Sequence, residues 1–173
     1  MLYYQITDDK NHLTPNWDHF FQSYNGNQNF DEAVANPGTA FRGTKLTSGN
    51  MLTTSQDLML NRQETSSAIV VGMLTCTALA ARCGANSEIY VCHVGSGFIS
   101  DSIIQKLQQL KEKYPNEIPQ AVYVVPKIEW LETYKDDVNK LVAQGYQTCL
   151  IGPKMGRDIG SVTVDVGGNF FIC

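Results

Sequence analysis

The sequence predicts an α/β fold, a layered sandwich of a mixed β-sheet with two helices that ends in a β-hairpin. Three observations carry that expectation. Strand-length apolar runs alternate with helical ones after residue 66. Two of the helical runs carry an apolar stripe. The tail SVTVDVGGNFFIC holds two short alternating runs about Gly167 and Gly168, a pair suited to a tight turn.

Taken in order, residues 1–65 are rich in Asn, Gln, Gly, Thr and Ser, with turn signals at NGN, NPGT and TSGN. They read as a loop-rich N-terminal extension, part of the same domain or a small subdomain, with short strands around TAFRGTKLT and NMLTTS. The core spans 66–173. Ala68 to Leu74 is a continuous apolar run of strand length, and TALAAR behind it continues the strand or starts a short helix. Glu88 to Gly95 is the next strand, and the two are expected to pair as a hairpin. DSIIQKLQQLKEKYP places Ile103, Ile104, Leu107 and Leu110 on one helical stripe, capped by Ser100 or Asp101 and stopped by Pro115. QAVYVVP is a strand. KIEWLETYKDDVNKLVAQG aligns Leu131, Tyr134, Val138, Leu141 and Val142 on one helix face before Gly145 closes it. YQTCLIG is the last strand before the hairpin.

Composition narrows the function. The chain has 173 residues, of which 43% are hydrophobic, enough for one ordinary core. Its 13 basic residues are outnumbered by 17 acidic ones and form no stripe that would neutralise a row of phosphates. Nucleic acid and anionic membrane are therefore not the expected partners. The longest apolar stretch, Ala68 to Ala81, is shorter than the about 20 residues a membrane helix needs and contains Thr75, Cys76 and Thr77. The start, MLYYQITDDKNH, lacks the basic and apolar regions of a secretory signal. Five cysteines, an odd number and mostly within apolar segments, point to a reducing, cytoplasmic compartment.

Two residues suggest chemistry. Cys76 lies in SAIVVGMLTCTALAAR and His93 in EIYVCHVGSGF, neighbouring strand-like runs that would bring a nucleophile and a base together. A thiol at its free pKa is mostly protonated, and an adjacent imidazole can take its proton and later return one to a leaving group. Thr75 and Thr77 flank the cysteine where the apolar run ends, and the backbone N–H groups of Cys76 and Thr77 could face an oxyanion there. Gly95, Ser96 and Gly97 would leave the His93 ring accessible. The competing reading is that both residues are ordinary core residues. Cys92 precedes His93 and so points to the opposite strand face, Cys83 sits in the turn-like RCGAN and is expected to be exposed, and Cys149 reads as core. No CxxC pair exists, so no metal site is expected.

GMLTCT followed by IYVCHVGSG resembles the catalytic core of the cysteine glutamine deamidases, the superfamily of the cytotoxic necrotizing factor catalytic domain and the chemoreceptor glutamine deamidase. In the toxins the nucleophile sits in a Leu-Ser-Gly-Cys type motif and the histidine on the next strand. Leu74, Thr75 and Cys76 match only loosely, this chain lacking the glycine before the cysteine, and VCHVG is similar to the toxin strand around the histidine. The order of elements over 67–173 also resembles the chemoreceptor enzyme. The threonine that enzyme carries six residues before its cysteine is Val70 here, so a third group orienting His93 would be a backbone carbonyl or an upstream Ser or Thr. The resemblance implies conversion of a protein glutamine to glutamate by Cys76 and His93, with transglutamination as a side activity and no metal or organic cofactor. It further implies a protein substrate presenting an exposed glutamine, and a bacterial effector or toxin that acts in a target cell's cytosol without a cleavable signal.

Two alternatives come from other classes. The strand around Arg42 resembles the arginine strand of mono-ADP-ribosyltransferases, with Thr53 to Ser55 as a second motif. The Glu-x-Glu of those enzymes is missing, Glu129 and Glu132 lying three apart on the expected helix. The other alternative is a non-catalytic binding or immunity protein on an α/β scaffold.

Overall fold

The computed structural model describes every residue except 25, 27, 44–47, 62, 64, 65, 96 and 97. Asn25 and Asn27 of the NGN turn, the end of TAFRGTKLT, and Ser96 and Gly97 beside the candidate histidine thus lie outside the described residues.

The layered α/β architecture read from the sequence is what the chain adopts, with its strands divided between two sheets. The strands are β1 (Leu2–Thr7), β2 (Gly38–Phe41), β3 (Asn50–Leu52), β4 (Asp57–Leu60), β5 (Ser67–Val71), β6 (Thr77–Cys83), β7 (Ile89–Val94), β8 (Pro119–Val124), β9 (Gln147–Pro153), β10 (Ser161–Asp165) and β11 (Phe170–Ile172). The helices are α1 (Trp17–Phe21), α2 (Phe30–Ala35), α3 (Asp101–Lys113) and α4 (Lys135–Ala143). A seven-stranded sheet has the order β2-β1-β9-β8-β6-β7-β4, and a four-stranded sheet the order β11-β10-β5-β3.

In the large sheet β2, β1, β9 and β8 run parallel, while β6, β7 and β4 continue antiparallel. The C-terminal ends of the parallel strands therefore lie at the same end of the sheet as the start of β6 and the end of β7. Period-two alternation splits β6 between two cores. Leu79, Ala81 and Cys83 face the layer of α3 and α4, whereas Ala78 and Ala80 face the small sheet, where short side chains let the two sheets approach.

The apolar run from Ala68 to Ala81 is two strands in different sheets. It crosses from β5 to β6 at Gly72, whose φ of +70° suits a residue without Cβ. The expected hairpin is therefore β6 with β7, Thr77 to Arg82 lying opposite Val94 to Ile89. α3 matches its expected bounds, with the Ser100 side chain accepting from the Ile103 N–H at 3.3 Å. The second helical run begins as a 3₁₀ segment, Ile128–Tyr134, before α4. The buried stripe of α4 runs through Val138 and Leu141, and Val142 lies about 100° round the helix from Leu141, at its margin. Val142 is 46% exposed, contrary to its expected place on the buried face, while Leu131, Tyr134, Val138 and Leu141 are buried. The C-terminal hairpin joins β10 and β11 as expected.

Residues 1–65 contribute to both sheets. β1 sits between β2 and β9, Ile6 faces the small sheet and Tyr3 the helices. β3 pairs with β5 in the small sheet, and β4 forms an edge of the large one.

Candidate functional site

Ile89 and Val91 of β7 point between the two sheets, and His93 follows two residues on, on the same face. His93 is 1% exposed, contrary to the accessible ring expected beside Gly95, Ser96 and Gly97, and its Nδ1 lies 2.9 Å from the carbonyl oxygen of Leu52 on β3. A carbonyl can only accept, so Nδ1 carries the hydrogen and the lone pair of the neutral ring is on Nε2. Nε2 is buried and has no hydrogen-bond partner among the described residues. The backbone of His93 is held by the same stretch of chain, its N–H donating to the Gln56 carbonyl and its carbonyl accepting from the Ser55 N–H, both at 2.9 Å. Residues 52–56 thus hold ring, tautomer and strand together, the ring through Leu52 and the backbone through Ser55 and Gln56. The group that orients the His93 ring is thus a backbone carbonyl, that of Leu52.

Cys76 ends the 72–76 loop, immediately before β6. Ala78 is directly opposite His93, so a regular ladder continued to Cys76 would put the cysteine one diagonal step from the histidine, roughly 7–8 Å between backbones. Its Sγ is 3.9 Å from Thr54 Oγ1, in the turn that holds His93. Sγ and Nε2 are not hydrogen bonded to one another. Ser55, beside Thr54, is the one non-glycine residue with positive φ, at 68°, among the described residues. A Cβ on Gly95 would lie 3.1 Å from Thr54 Cγ2 and 3.2 Å from Ser55 Oγ, so a side chain there would crowd this turn.

A buried polar chain supports the cysteine from the helix side. The Thr77 hydroxyl donates to Tyr123 Oη at 2.8 Å, and Tyr123 donates to Asp137 Oδ2 at 2.7 Å. Asp137, 1% exposed, also accepts from the Ile99 N–H at 2.8 Å and from Lys140 Nζ at 3.5 Å. Tyr134 donates to the Thr75 carbonyl at 3.1 Å. Burial first, then proximity to Cys76 and Asp137, pushes the Tyr134 hydroxyl up to about 12, so it remains a donor at neutral pH. Sequence reasoning did not find this chain. Its one signal was spacing, because Asp137 falls three residues after Tyr134 and four before Leu141, on the buried side of α4.

A cavity of about 200 Å³ adjoins the histidine, lined by Ser55, His93, Gly95, Phe98 and Lys106 among others. It shares Asp57 and Lys106, an ion pair, with a larger groove of about 480 Å³ between β4 and α3. That groove contains neither Cys76 nor His93.

The remaining cysteines separate cleanly from the site. Cys92 points to the helix layer, where burial pushes its thiol up to about 11, and Cys149 is fully buried with its thiol likewise raised. Cys83 is 1% exposed, contrary to the expected exposed turn position, because β6 runs through it and its N–H bonds Ser87 Oγ at 2.8 Å. All five cysteines are free thiols. Among the described residues no three His, Cys, Asp or Glu side chains form a group that could hold a metal ion.

Arg42 follows β2, its Nε 3.4 Å from Asp8. Thr53 to Ser55, read with it as a second motif, lead into β4 at the opposite edge of the large sheet and belong to the surroundings of Cys76 and His93. The chain matches no protein-family model and no curated protein. No helix among the described residues is long and apolar enough to cross a membrane.

Proposed function

We propose that the chain is a cysteine-dependent glutamine deamidase acting on a protein substrate. The observation that carries this reading is His93, whose Nδ1 is committed to the Leu52 carbonyl while Nε2 keeps a buried lone pair unpartnered among the described residues, and whose backbone is hydrogen bonded to the turn that contacts Cys76. This is the tautomer a general base needs.

In the proposed reaction Nε2 takes the thiol proton as Cys76 closes on the substrate. The thiolate attacks the side-chain carboxamide carbon, forming the C–S bond and moving the carbonyl π pair onto oxygen. The Cys76 and Thr77 amides, where the 72–76 loop becomes β6, receive that oxyanion. As the oxyanion collapses the C–N bond breaks, and the imidazolium proton leaves with the nitrogen as ammonia. Water, losing a proton to Nε2, attacks the thioester; the C–S bond breaks, releasing glutamate and restoring the thiol. An amine in place of water gives transglutamination.

A protein substrate is supported by the surface at this end of the sheets. Leu74, Phe98, Trp130 and Met155, in loops that leave the same sheet end as Cys76, are 38–84% exposed. Five free thiols accord with action in a reducing cytosol, the setting of an effector that works inside a target cell.

The burial of both residues, His93 at 1% and Cys76 at 8% exposure, favours a second reading, a binding protein in which the pair is structural. One experiment separates the two. Lysate proteins are exposed to wild type and to Cys76→Ser and compared by peptide mass spectrometry for glutamines gaining about 1 Da. Sites converted only by wild type support deamidation and name the substrate; no difference between two folded proteins leaves the binding reading.

A further inference from the structure

The sheet end that carries Cys76 has a second feature, at its parallel side. Ile6 and Thr7 at the end of β1, Asp8 just beyond it, Arg42 after β2, and Lys154 and Arg157 after β9 line a cavity of about 210 Å³. Three cations thus face one carboxylate, in a chain whose net charge is −4. Asp8 takes one contact from each arginine, Arg42 Nε at 3.4 Å and Arg157 Nη1 at 2.7 Å. Lys154 makes no ion pair among the described residues, and the Arg42 Nη groups make no hydrogen bond there. Arg42 is the least exposed member: its side chain is 17% exposed, and its backbone N–H donates to the Thr7 carbonyl at 2.5 Å.

We propose that this pocket binds a phosphoryl group. Guanidinium groups match phosphate oxygens with paired N–H donors, and an ammonium adds a point charge. The carboxyl ends of adjacent parallel strands are where open α/β sheets place their ligands. The volume is several times the roughly 30 Å³ share of one liquid water, room for one phosphate or a diphosphate. From β6 the site is two to four strand positions away, roughly 10–19 Å along the sheet. It is therefore separate from the Cys76 site and stands apart from the deamidase reading.

The test is calorimetric titration of the full chain with inorganic phosphate and with pyrophosphate at low ionic strength. Saturable one-to-one binding is expected, at least tenfold weaker in Arg42→Ala and Lys154→Ala. In Asp8→Asn it should be tighter, because the internal competitor loses its charge. Cys76→Ser should bind as wild type does. Equal affinity for the two anions supports a monophosphate ligand, and a tenfold preference for pyrophosphate supports a diphosphate. Absence of saturation, or binding unchanged in Lys154→Ala, overturns the proposal. Lys154 is exposed, so that variant remains decisive even if Arg42→Ala fails to fold.

Discussion

The Leu52 carbonyl on the small sheet accepts a hydrogen bond from His93 Nδ1 on the large sheet at 2.9 Å. One contact therefore sets the tautomer of a buried imidazole and ties the two sheets at the end where Cys76 emerges.

His93→Asn should separate those two roles. A side-chain amide can still donate to Leu52 but offers no base, so stability should change by no more than about 1 kcal/mol, whereas His93→Ala, which strands the carbonyl, should cost about 1–3 kcal/mol. On the proposed deamidase reading, both variants should lose about 10²–10⁴-fold in glutamine conversion. Urea unfolding and the rate of mass gain on the identified substrate are the two measurements.

Thr54→Val removes the hydroxyl 3.9 Å from Cys76 Sγ and keeps the shape of the side chain. Alkylation of Cys76 by iodoacetamide at neutral pH should slow several-fold while the unfolding midpoint stays unchanged, because a thiolate would lose a donor. An unaltered rate would mean that the hydroxyl does not serve the thiolate.

Tyr123→Phe cuts the chain from Thr77 to Asp137 at its centre. The loss of a buried donor to a carboxylate should cost about 2–3 kcal/mol. Because Thr77 directly follows Cys76, glutamine conversion should fall with it, and the fall should persist at temperatures where the variant is fully folded. Thermal unfolding paired with activity at low temperature tests both parts.

Alkaline destabilisation should have an identifiable source in Cys92. Burial raises its thiol from the ordinary 9.0 to about 11, so the folded chain holds a proton that the unfolded chain releases. The stabilisation is intact below pH 9 and is lost as pH rises toward 11, at no more than about 1.4 kcal/mol per pH unit. The buried hydroxyls of Tyr90, Tyr123 and Tyr146, also raised by burial, add to the decline above pH 10. Urea midpoints at pH 8 and pH 10.5 should converge more closely in Cys92→Ala than in wild type.

Elements governed by local pattern were legible in the sequence, and those governed by distant partners were not. The Ser100 cap and the stripe through Leu107 and Leu110 specify α3 because a helix satisfies its own backbone and buries one face. The run from Ala68 to Ala81 was ambiguous because a buried strand carries no internal mark of the sheet it joins. β1 and β4 were not expected at all. LYYQIT and DLML are short, and their status as strands comes from pairing with β9 and with β7, far away in the chain.

The same division holds at the site. The sequence by itself determined that Cys92 turns away from His93, because strand periodicity is a local property of the backbone, and it pointed to a meeting of Cys76 and His93 on neighbouring strands. Only the tertiary structure decided that Leu52 orients the imidazole, that the turn at Thr54 reaches the thiol, that Cys83 is buried and that Asp137 anchors the loop from beneath. Each of those depends on which sheet or helix a segment packs against, a choice made by burial summed over the whole core.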